Sequence, residues 1–216
     1  MRFPRTASLL VIAVTLVFGS LSVAQSAEAG GRSCTGWESR KVEPNYIRVL
    51  DTRTGQVHKV KFKRYVAQVM ASGEWPGRLP NATLKAGAMA TKQFAWYYTL
   101  KGNWRGGVSR GRCYDVVNTT QDQLWRPGAK PVPSQNRAVN AVWGLSAWKW
   151  NTRFFLTGYR AGYAQTCGAD ANGWKLYARS AKNCAKRGWS WKRILKKYYS
   201  KTAFRWNAEA LASRAK

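Results

Sequence analysis

The chain has 216 residues, a formal net charge of +28 and 45% hydrophobic residues, including 12 Trp. This length predicts one globular domain with a sizeable core, and no apolar run beyond the N-terminal segment is long enough to cross a membrane. The positive charge favours an anionic partner such as nucleic acid, an anionic membrane or an anionic wall polymer. A generally basic surface that keeps the protein soluble is the alternative.

The N-terminus has the composition of a secretory signal. Arg2 and Arg5 precede an apolar run from Leu9 to Phe18, and small residues follow with two candidate cleavage signals. This pattern predicts a signal peptide over residues 1–29 and an exported domain over residues 30–216. A retained membrane anchor is the alternative.

Four cysteines follow the predicted signal peptide: Cys34, Cys113, Cys167 and Cys184. An even set in an oxidising compartment predicts two disulfides, and three pairings are open. Zinc is the competing interpretation, but the chain has no C-x-x-C pair and only one His, His58. We therefore expect no metal site and no cofactor.

The first half of the exported chain predicts an arm, a hairpin and two helices. Residues 30–46 are rich in Gly and Ser and indicate a tethered arm, and alternation from Tyr46 onward predicts a β-hairpin that turns at residues 51–55. Apolar residues at helical spacing predict a helix over residues 62–72, which Gly73 ends. Asn81 is the predicted N-cap of a second helix that stops near residues 101–103.

The second half mixes short elements. The patterns predict a Gly- and Arg-rich loop (104–111), extended structure with a turn (113–125) and a surface loop (126–135). A short helix (136–145) and a hairpin that turns at Asn151 and Thr152 (147–159) follow. A loop and helix (167–183) and a last helix capped by Ser190 (191–199) complete the predicted elements. Strands and helices alternate without a βαβ rhythm, so the fold class is α+β.

One carboxylate, Glu74, is a candidate catalytic acid. The chain has nine acidic residues, and Glu74 alone lies between two strongly patterned apolar segments. Its alternative role is a helix-end carboxylate paired to Arg78 or Lys85.

Other catalytic arrangements have little support. His58 is in a Lys-flanked alternating segment, where an exposed strand residue is expected, and the sequence has no phosphate loop, dinucleotide fingerprint or nucleophile elbow.

Residues 65–76, YVAQVMASGEWP, and residues 84–98, LKAGAMATKQFAWYY, resemble the stage II sporulation protein D (SpoIID/LytB) family. Three later stretches agree in order: 114–125, the segment from 138 with the hairpin after it, and 185–199. The resemblance covers most of residues 46–200. It implies a secreted, cell-wall-associated protein that acts on peptidoglycan.

The family is similar in activity to lytic transglycosylases, which cleave the MurNAc–GlcNAc bond of glycan strands, and its catalytic glutamate falls on Glu74. Some relatives are instead described as enhancers of wall amidases. The resemblance thus implies glycan strands as the partner, with anionic wall polymers and another wall hydrolase as further partners. Candidate substrate contacts are Trp75, Trp96 and Trp125, whose rings stack on sugars, and Thr119, Thr120 and Gln123.

Several departures from the family pattern stand out. Gly73 is inserted before the glutamate and is expected to alter its register, and Val117 and Asp122 replace two cysteines that hold zinc in some members. The family's HSS-x-GG segment becomes residues 159–162, and its GMSQYGA segment becomes roughly residues 175–181. These changes affect substrate contacts more than the fold.

The family's C-terminal motif lies beside Cys167 and Cys184, and we predict that these two cysteines pair across a short loop. Cys34 and Cys113 are then left as the second pair, which ties the arm to the domain.

A single-carboxylate mechanism imposes a condition on Glu74. The acid must be protonated near neutral pH, so its pKa must rise well above the ordinary value of about 4.3. Burial against Trp75 would raise it, whereas contact with Arg78 or Lys85 would lower it. Two other functions stay open: a non-catalytic wall-binding module that assists another hydrolase, and extracellular nucleic-acid binding, which is the weaker hypothesis.

Overall fold

The computed structural model of the protein describes Cys34 and residues 36–214. The predicted signal peptide lies outside the described residues. Within them no helix is both long and apolar enough to cross a membrane.

The described chain is a single compact α+β domain, as the sequence predicts. Its helices are α1 (Phe62–Val69), α2 (Asn81–Thr99), α3 (Pro133–Val142), α4 (Ala178–Lys186), α5 (Trp191–Tyr198) and α6 (Ala208–Arg214). Its strands are β1 (Tyr46–Asp51), β2 (Gln56–Lys61), β3 (Gly107–Ser109), β4 (Arg112–Tyr114), β5 (Val116–Val117), β6 (Leu145–Lys149), β7 (Arg153–Phe154), β8 (Gly158–Arg160), β9 (Lys175–Tyr177) and β10 (Thr202–Trp206).

Helix α2 is the centre of the core. It contacts α1, α3, α4 and α5, and it is buried on nearly all sides. Its small residues permit this close packing: a Cβ on Gly87 would lie 2.3 Å from the indole of Trp75. A helix that is apolar all round belongs in the interior, and α2 takes that place.

Short strands surround the helices in small sheets. The predicted hairpin forms β1 and β2, and β1 also pairs with β5 in parallel. The predicted turn near Asn151 joins β6 to β7, while β10 covers the other edge of β6. β8 and β9 form a separate parallel pair beside α4.

Both predicted disulfides are confirmed. Cys34 bonds to Cys113 and Cys167 bonds to Cys184, with sequence separations of 79 and 17 residues. The first bond tethers the arm, which also pairs with the end of α2 through the Trp37 N–H and the Thr99 carbonyl oxygen, 2.6 Å apart. In the chain-entropy description, the shorter loop alone stabilises the fold by about 3 kcal/mol.

Two predicted helix starts are wrong. Asn81 is the first residue of α2 rather than its N-cap, because Pro80 occupies the cap position without any side-chain bond. Helix α3 begins at Pro133 rather than at 136, because proline is tolerated at a first helical position and the Gln135 side chain accepts the Val132 N–H at 2.9 Å. Ser190 caps α5 as predicted, accepting the Arg193 N–H.

Candidate active site

A π-helical turn presents Glu74. Helix α1 ends at Val69 and leads directly into a wider turn over Met70–Glu74, in which Gly73 has a φ of 114°. The prediction that the helix ends at Gly73 is therefore wrong, because the glycine lies inside this turn. Residues with side chains rarely adopt that φ, so the inserted glycine is what allows the turn. The extra residue therefore bulges locally, which is how the structure absorbs the expected register change.

The turn is held from behind by α3. The Gln135 side chain donates to the carbonyl oxygens of Met70, at 3.1 Å, and Trp75, at 2.8 Å, the two residues that flank the bulge. The Ser72 hydroxyl adds a link to the next segment by accepting the Arg126 N–H at 3.0 Å. These bonds link the turn to α3 and to the segment that begins at Arg126.

Glu74 faces a cleft of about 740 Å³, which is within the size range of small-ligand pockets. Its walls come from the π turn, the 120–124 segment, β8 and the start of α4. The lining residues are Gly73, Glu74, Trp75, Pro76, Arg78, Leu79, Phe94, Thr120, Asp122, Leu124, Tyr159, Arg160, Ala161, Ala178, Arg179 and Lys182.

Two neutral donors hold the Glu74 carboxyl group. The Leu124 N–H donates to Oε1 at 2.6 Å, and the Tyr159 hydroxyl also bonds the carboxyl. No ion pair involves Glu74 in the part of the chain that the structure describes, so the alternative of a salt bridge to Arg78 or Lys85 is not observed. The carboxyl is fixed in position but not neutralised.

Burial raises the pKa of Glu74 above its ordinary value. The Tyr159 hydroxyl, the Leu124 N–H and the charge of Arg160 each lower that pKa, but desolvation outweighs them. An upward shift of the pKa is what a general acid requires, because the group must be protonated near neutral pH.

A buried hydrogen-bond network fixes the direction of the Tyr159 hydroxyl. The Gln123 amide donates to the Tyr159 hydroxyl oxygen at 2.9 Å and to the Thr91 carbonyl oxygen at 3.1 Å. Its own oxygen accepts the Tyr65 hydroxyl at 3.0 Å. Because Tyr159 accepts from Gln123, its proton is available for Glu74.

Gln123, which the sequence analysis names as a candidate substrate contact, holds the Tyr159 hydroxyl in this structure. Its side chain is fully buried behind Tyr159. The sequence could not show this, because the amide acts through residues more than 30 positions away.

The three predicted sugar-stacking tryptophans are buried. Trp75 forms part of the cleft wall but has no exposed surface, and its Nε1 donates to the Thr91 hydroxyl at 3.1 Å. Trp125 packs near Tyr65 and donates to Gln68. Trp96 is away from the cleft, against Phe154, so the prediction of stacking fails for these rings because no face is open to a ligand.

Of the two predicted threonines, Thr120 is exposed and lines the cleft. Thr119 belongs to the turn beside it, where its carbonyl oxygen accepts the Asp122 N–H, and it is not among the lining residues.

The other nearby carboxylates have structural partners. Asp122 also lines the cleft, but it accepts the Val117 N–H at 2.7 Å and pairs with Arg105. Asp115 pairs with Arg48 and accepts the Trp104 indole N–H. Glu74 is left as the carboxyl group at the cleft without a cationic partner among the described residues.

Four cations line the cleft: Arg78, Arg160, Arg179 and Lys182. None of them forms an ion pair within the described residues. Sequence reasoning named Arg78 as a possible partner of Glu74 but did not predict Tyr159, Arg160, Arg179 and Lys182 as cleft residues. The available signal was that Tyr159, Arg160 and Arg179 fall where the chain departs from the family pattern.

No group of three His, Cys, Asp or Glu side chains that could hold a metal occurs in the described part of the chain. His58 lies on β2 as predicted, but its ring is half-buried with its centroid 5.3 Å from that of Trp125.

One family model matches part of the chain. Residues 50–145 match the family model SpoIID, stage II sporulation protein. No curated protein matches the chain. The matched region contains Glu74 and Leu124, whereas Tyr159, Arg160 and α4, which complete the cleft, lie beyond it.

Proposed function

We propose that the protein is a lytic transglycosylase of peptidoglycan. The match of residues 50–145 to the SpoIID stage II sporulation protein family, which is related to sporulation and the cell wall, supports this proposal. The observation that carries the proposal is Glu74: one carboxyl group in a cleft, unpaired with any described cation, with a pKa raised by burial.

The mechanism needs one carboxyl group in two protonation states. Protonated Glu74 donates its proton to the glycosidic oxygen as the bond from MurNAc C1 breaks. The carboxylate then accepts the proton of the C6 hydroxyl, whose oxygen bonds to C1 and forms the 1,6-anhydro sugar. The proton returns to Glu74, no water is consumed, and the substrate supplies the nucleophile that hydrolytic glycosidases take from a second carboxylate or from water.

The rest of the cleft supports this assignment. Leu124 N–H and Tyr159 hydroxyl aim the carboxyl group and favour its ionised form after proton transfer. The four unpaired cations at the cleft match a substrate that carries carboxylates. Export to the cell surface and association with the wall belong to the same proposal.

Replacement of Glu74 by Gln tests the proposal. Gln keeps the shape and accepts the Leu124 N–H but has no acid proton, so release of anhydro-ended glycan fragments should fall by about 10²- to 10⁴-fold. The measurement is mass analysis of purified glycan strands, with and without stem peptides, after incubation with each protein.

A matched control is Glu38→Gln, because that side chain is 83% exposed and is not among the residues that line the cleft. It should retain full activity. If wild type is active and the rate of anhydro-fragment release by the Glu74→Gln variant is less than tenfold lower, Glu74 is not the acid. Asp115 and Asp122 then become the groups to test.

A second candidate function has its own support. The two hydrogen bonds to Glu74 and the charge of Arg160 favour the carboxylate, which suits a binding group more than an acid. A wall-binding module that assists another hydrolase would bind sacculi and release no anhydro ends by itself. That result for wild type would replace the catalytic proposal.

A further inference from the structure

The turn between β6 and β7 holds a tryptophan in an unfavourable backbone conformation. Trp150 and Asn151 have φ values of 48° and 57°, and the Thr152 N–H closes the turn on the Lys149 carbonyl oxygen at 3.0 Å. Asn and Gly are the residues that suit such a turn, and a bulky aromatic residue at positive φ is an outlier. Strain of this kind is retained mostly where a side chain has a function.

A second tryptophan stands beside the first. Trp174, immediately before β9, has its ring centroid 6.2 Å from that of Trp150, with the planes at 65°. The two side chains are 47% and 48% exposed, although large aromatic residues elsewhere in this chain are mostly buried. Two loops that are distant in sequence thus place adjoining indole rings at the surface.

A buried lysine supports both rings from below. Lys149 is 1% exposed, and its Nζ donates to the carbonyl oxygens of Gly173, at 2.7 Å, and Ser200, at 2.9 Å. The same Nζ lies 3.9 Å from the Trp174 ring centroid and 5.5 Å from that of Trp150. Cation–π attraction to both rings fixes their orientation, so the outer surface is preorganised.

The chemistry of this surface suits a charged saccharide. Indole rings stack on the C–H faces of pyranose rings, and two exposed cations flank the pair: Arg153, whose guanidinium is 6.0 Å from the Trp174 ring, and Lys201. A saccharide that carries carboxylates satisfies both features. An uncharged apolar partner would leave the cations without a role.

The surface also has a fixed relation to the cleft. Trp174 precedes β9, and the cleft lies at the opposite end of the β8–β9 pair, where Arg160 pairs with Tyr177. Tyr177 follows Trp174 by three residues, a span of roughly 10 Å along the strand. A single polymer strand can reach both.

We propose that Trp150 and Trp174, held by Lys149, form a second binding surface for the glycan strand of peptidoglycan, distinct from the Glu74 cleft. The identity of the polymer rests on the proposed function. Binding at this surface does not require cleavage, so the two proposals can fail separately.

The test uses a substitution that should remove binding without harming the fold. Trp150→Asn replaces the strained residue by one that suits the turn, so its Tm should stay level or rise by about 2–4 °C. Binding to purified sacculi stripped of secondary wall polymers should weaken by at least about tenfold, as it should for Trp174→Ala. The assay is co-sedimentation in the Glu74→Gln background, which prevents digestion.

Trp206→Ala is the matched control, because Trp206 is 44% exposed and pairs with Leu145 at the opposite end of β6. It should bind sacculi as its parent does. Cleavage of fragments too short to span both sites should be unchanged by Trp150→Asn in an active background.

Three outcomes would overturn the proposal. The first is a folded Trp150→Asn variant that binds stripped sacculi normally. The second is a loss of binding seen only on unstripped sacculi, which would assign the surface to an anionic wall polymer. The third is a loss of binding seen only with a single-stranded oligonucleotide. If wild type cleaves no glycan but Trp150→Asn loses sacculus binding, the surface stands and the catalytic proposal fails.

Discussion

Two ionisable groups, Lys92 on α2 and Glu74 on the π turn, have opposite surroundings. Lys92 is fully buried, and its Nζ lies 3.1 Å from Glu43 Oε1 and 2.7 Å from the Trp143 carbonyl oxygen, with the Leu145 carbonyl as a further acceptor. Glu74 is half-buried at a cleft, with two neutral donors and no ion pair among the described residues.

The difference in partners distinguishes Lys92, a charged group that stabilises the fold, from Glu74, a group proposed to exchange protons. Lys92 joins α2 to the N-terminal arm through Glu43 and to the end of α3, and Asn207 completes the cluster by donating to Glu43. Burial lowers the pKa of Lys92 to about 8, and the adjacent Glu43 carboxylate opposes this shift. Glu74 has no partner of this kind, so its protonation state is left free to change.

The largest expected effect comes from breaking the Lys92 cluster. Lys92→Met keeps the apolar stem but leaves Glu43 buried without its cation, so the free energy of unfolding should fall by about 3–5 kcal/mol. Denaturant unfolding measures it. Lys101→Met is the control, because its pair with Glu38 spans 3.8 Å between exposed side chains and should contribute at most about 1 kcal/mol. Equal losses in the two variants would remove the distinction drawn for Lys92.

A smaller effect should follow from Tyr159→Phe, which removes the hydroxyl between Gln123 and Glu74. The buried Gln123 amide loses an acceptor, at a cost of about 1–3 kcal/mol in stability. Because the hydroxyl lowers the pKa of Glu74, its loss should raise that pKa and move the alkaline limb of the activity profile to higher pH. A pH–rate profile of the variant decides this, and a limb that stays fixed or moves to lower pH would show that Tyr159 does not act on Glu74.

The smallest expected effect is a gain in stability, on replacement of Glu74 by Gln. The pKa of Glu74 is raised in the folded state, so the folded protein binds this proton more tightly than the unfolded chain does. The resulting stability is present at low pH and is lost as pH rises through the raised pKa. Glu74→Gln should therefore match or exceed wild-type stability at pH 8, by on the order of 1 kcal/mol, with the gain disappearing near pH 4.

Thermal unfolding of wild type and Glu74→Gln at both pH values measures this gain. A variant that is less stable than wild type at pH 8 would mean that the carboxylate contributes to the fold, as Lys92 does.

Local patterns determined much of this protein. Alternation and turn residues predicted the β1–β2 hairpin and the β6–β7 turn, Ser190 marked the start of α5, and the resemblance to a family correctly paired the cysteines. These features depend on residues close in sequence or on motifs, and they could be read without coordinates. Glu74 was identified for the same reasons, as a carboxylate between two apolar segments.

Tertiary structure decided what surrounds Glu74 and which aromatic rings are exposed. Trp75, Trp96 and Trp125 have the composition of sugar-stacking residues but fill the core, while Trp150 and Trp174, which carried no signal, lie at the surface. Side-chain type fixes what a residue can contact, but its burial depends on which distant elements pack over it. Tyr159 reaches Glu74, and Gln123 sits behind it, only because α2, β8 and the 120–124 segment pack together, an arrangement that no local pattern in the sequence encodes.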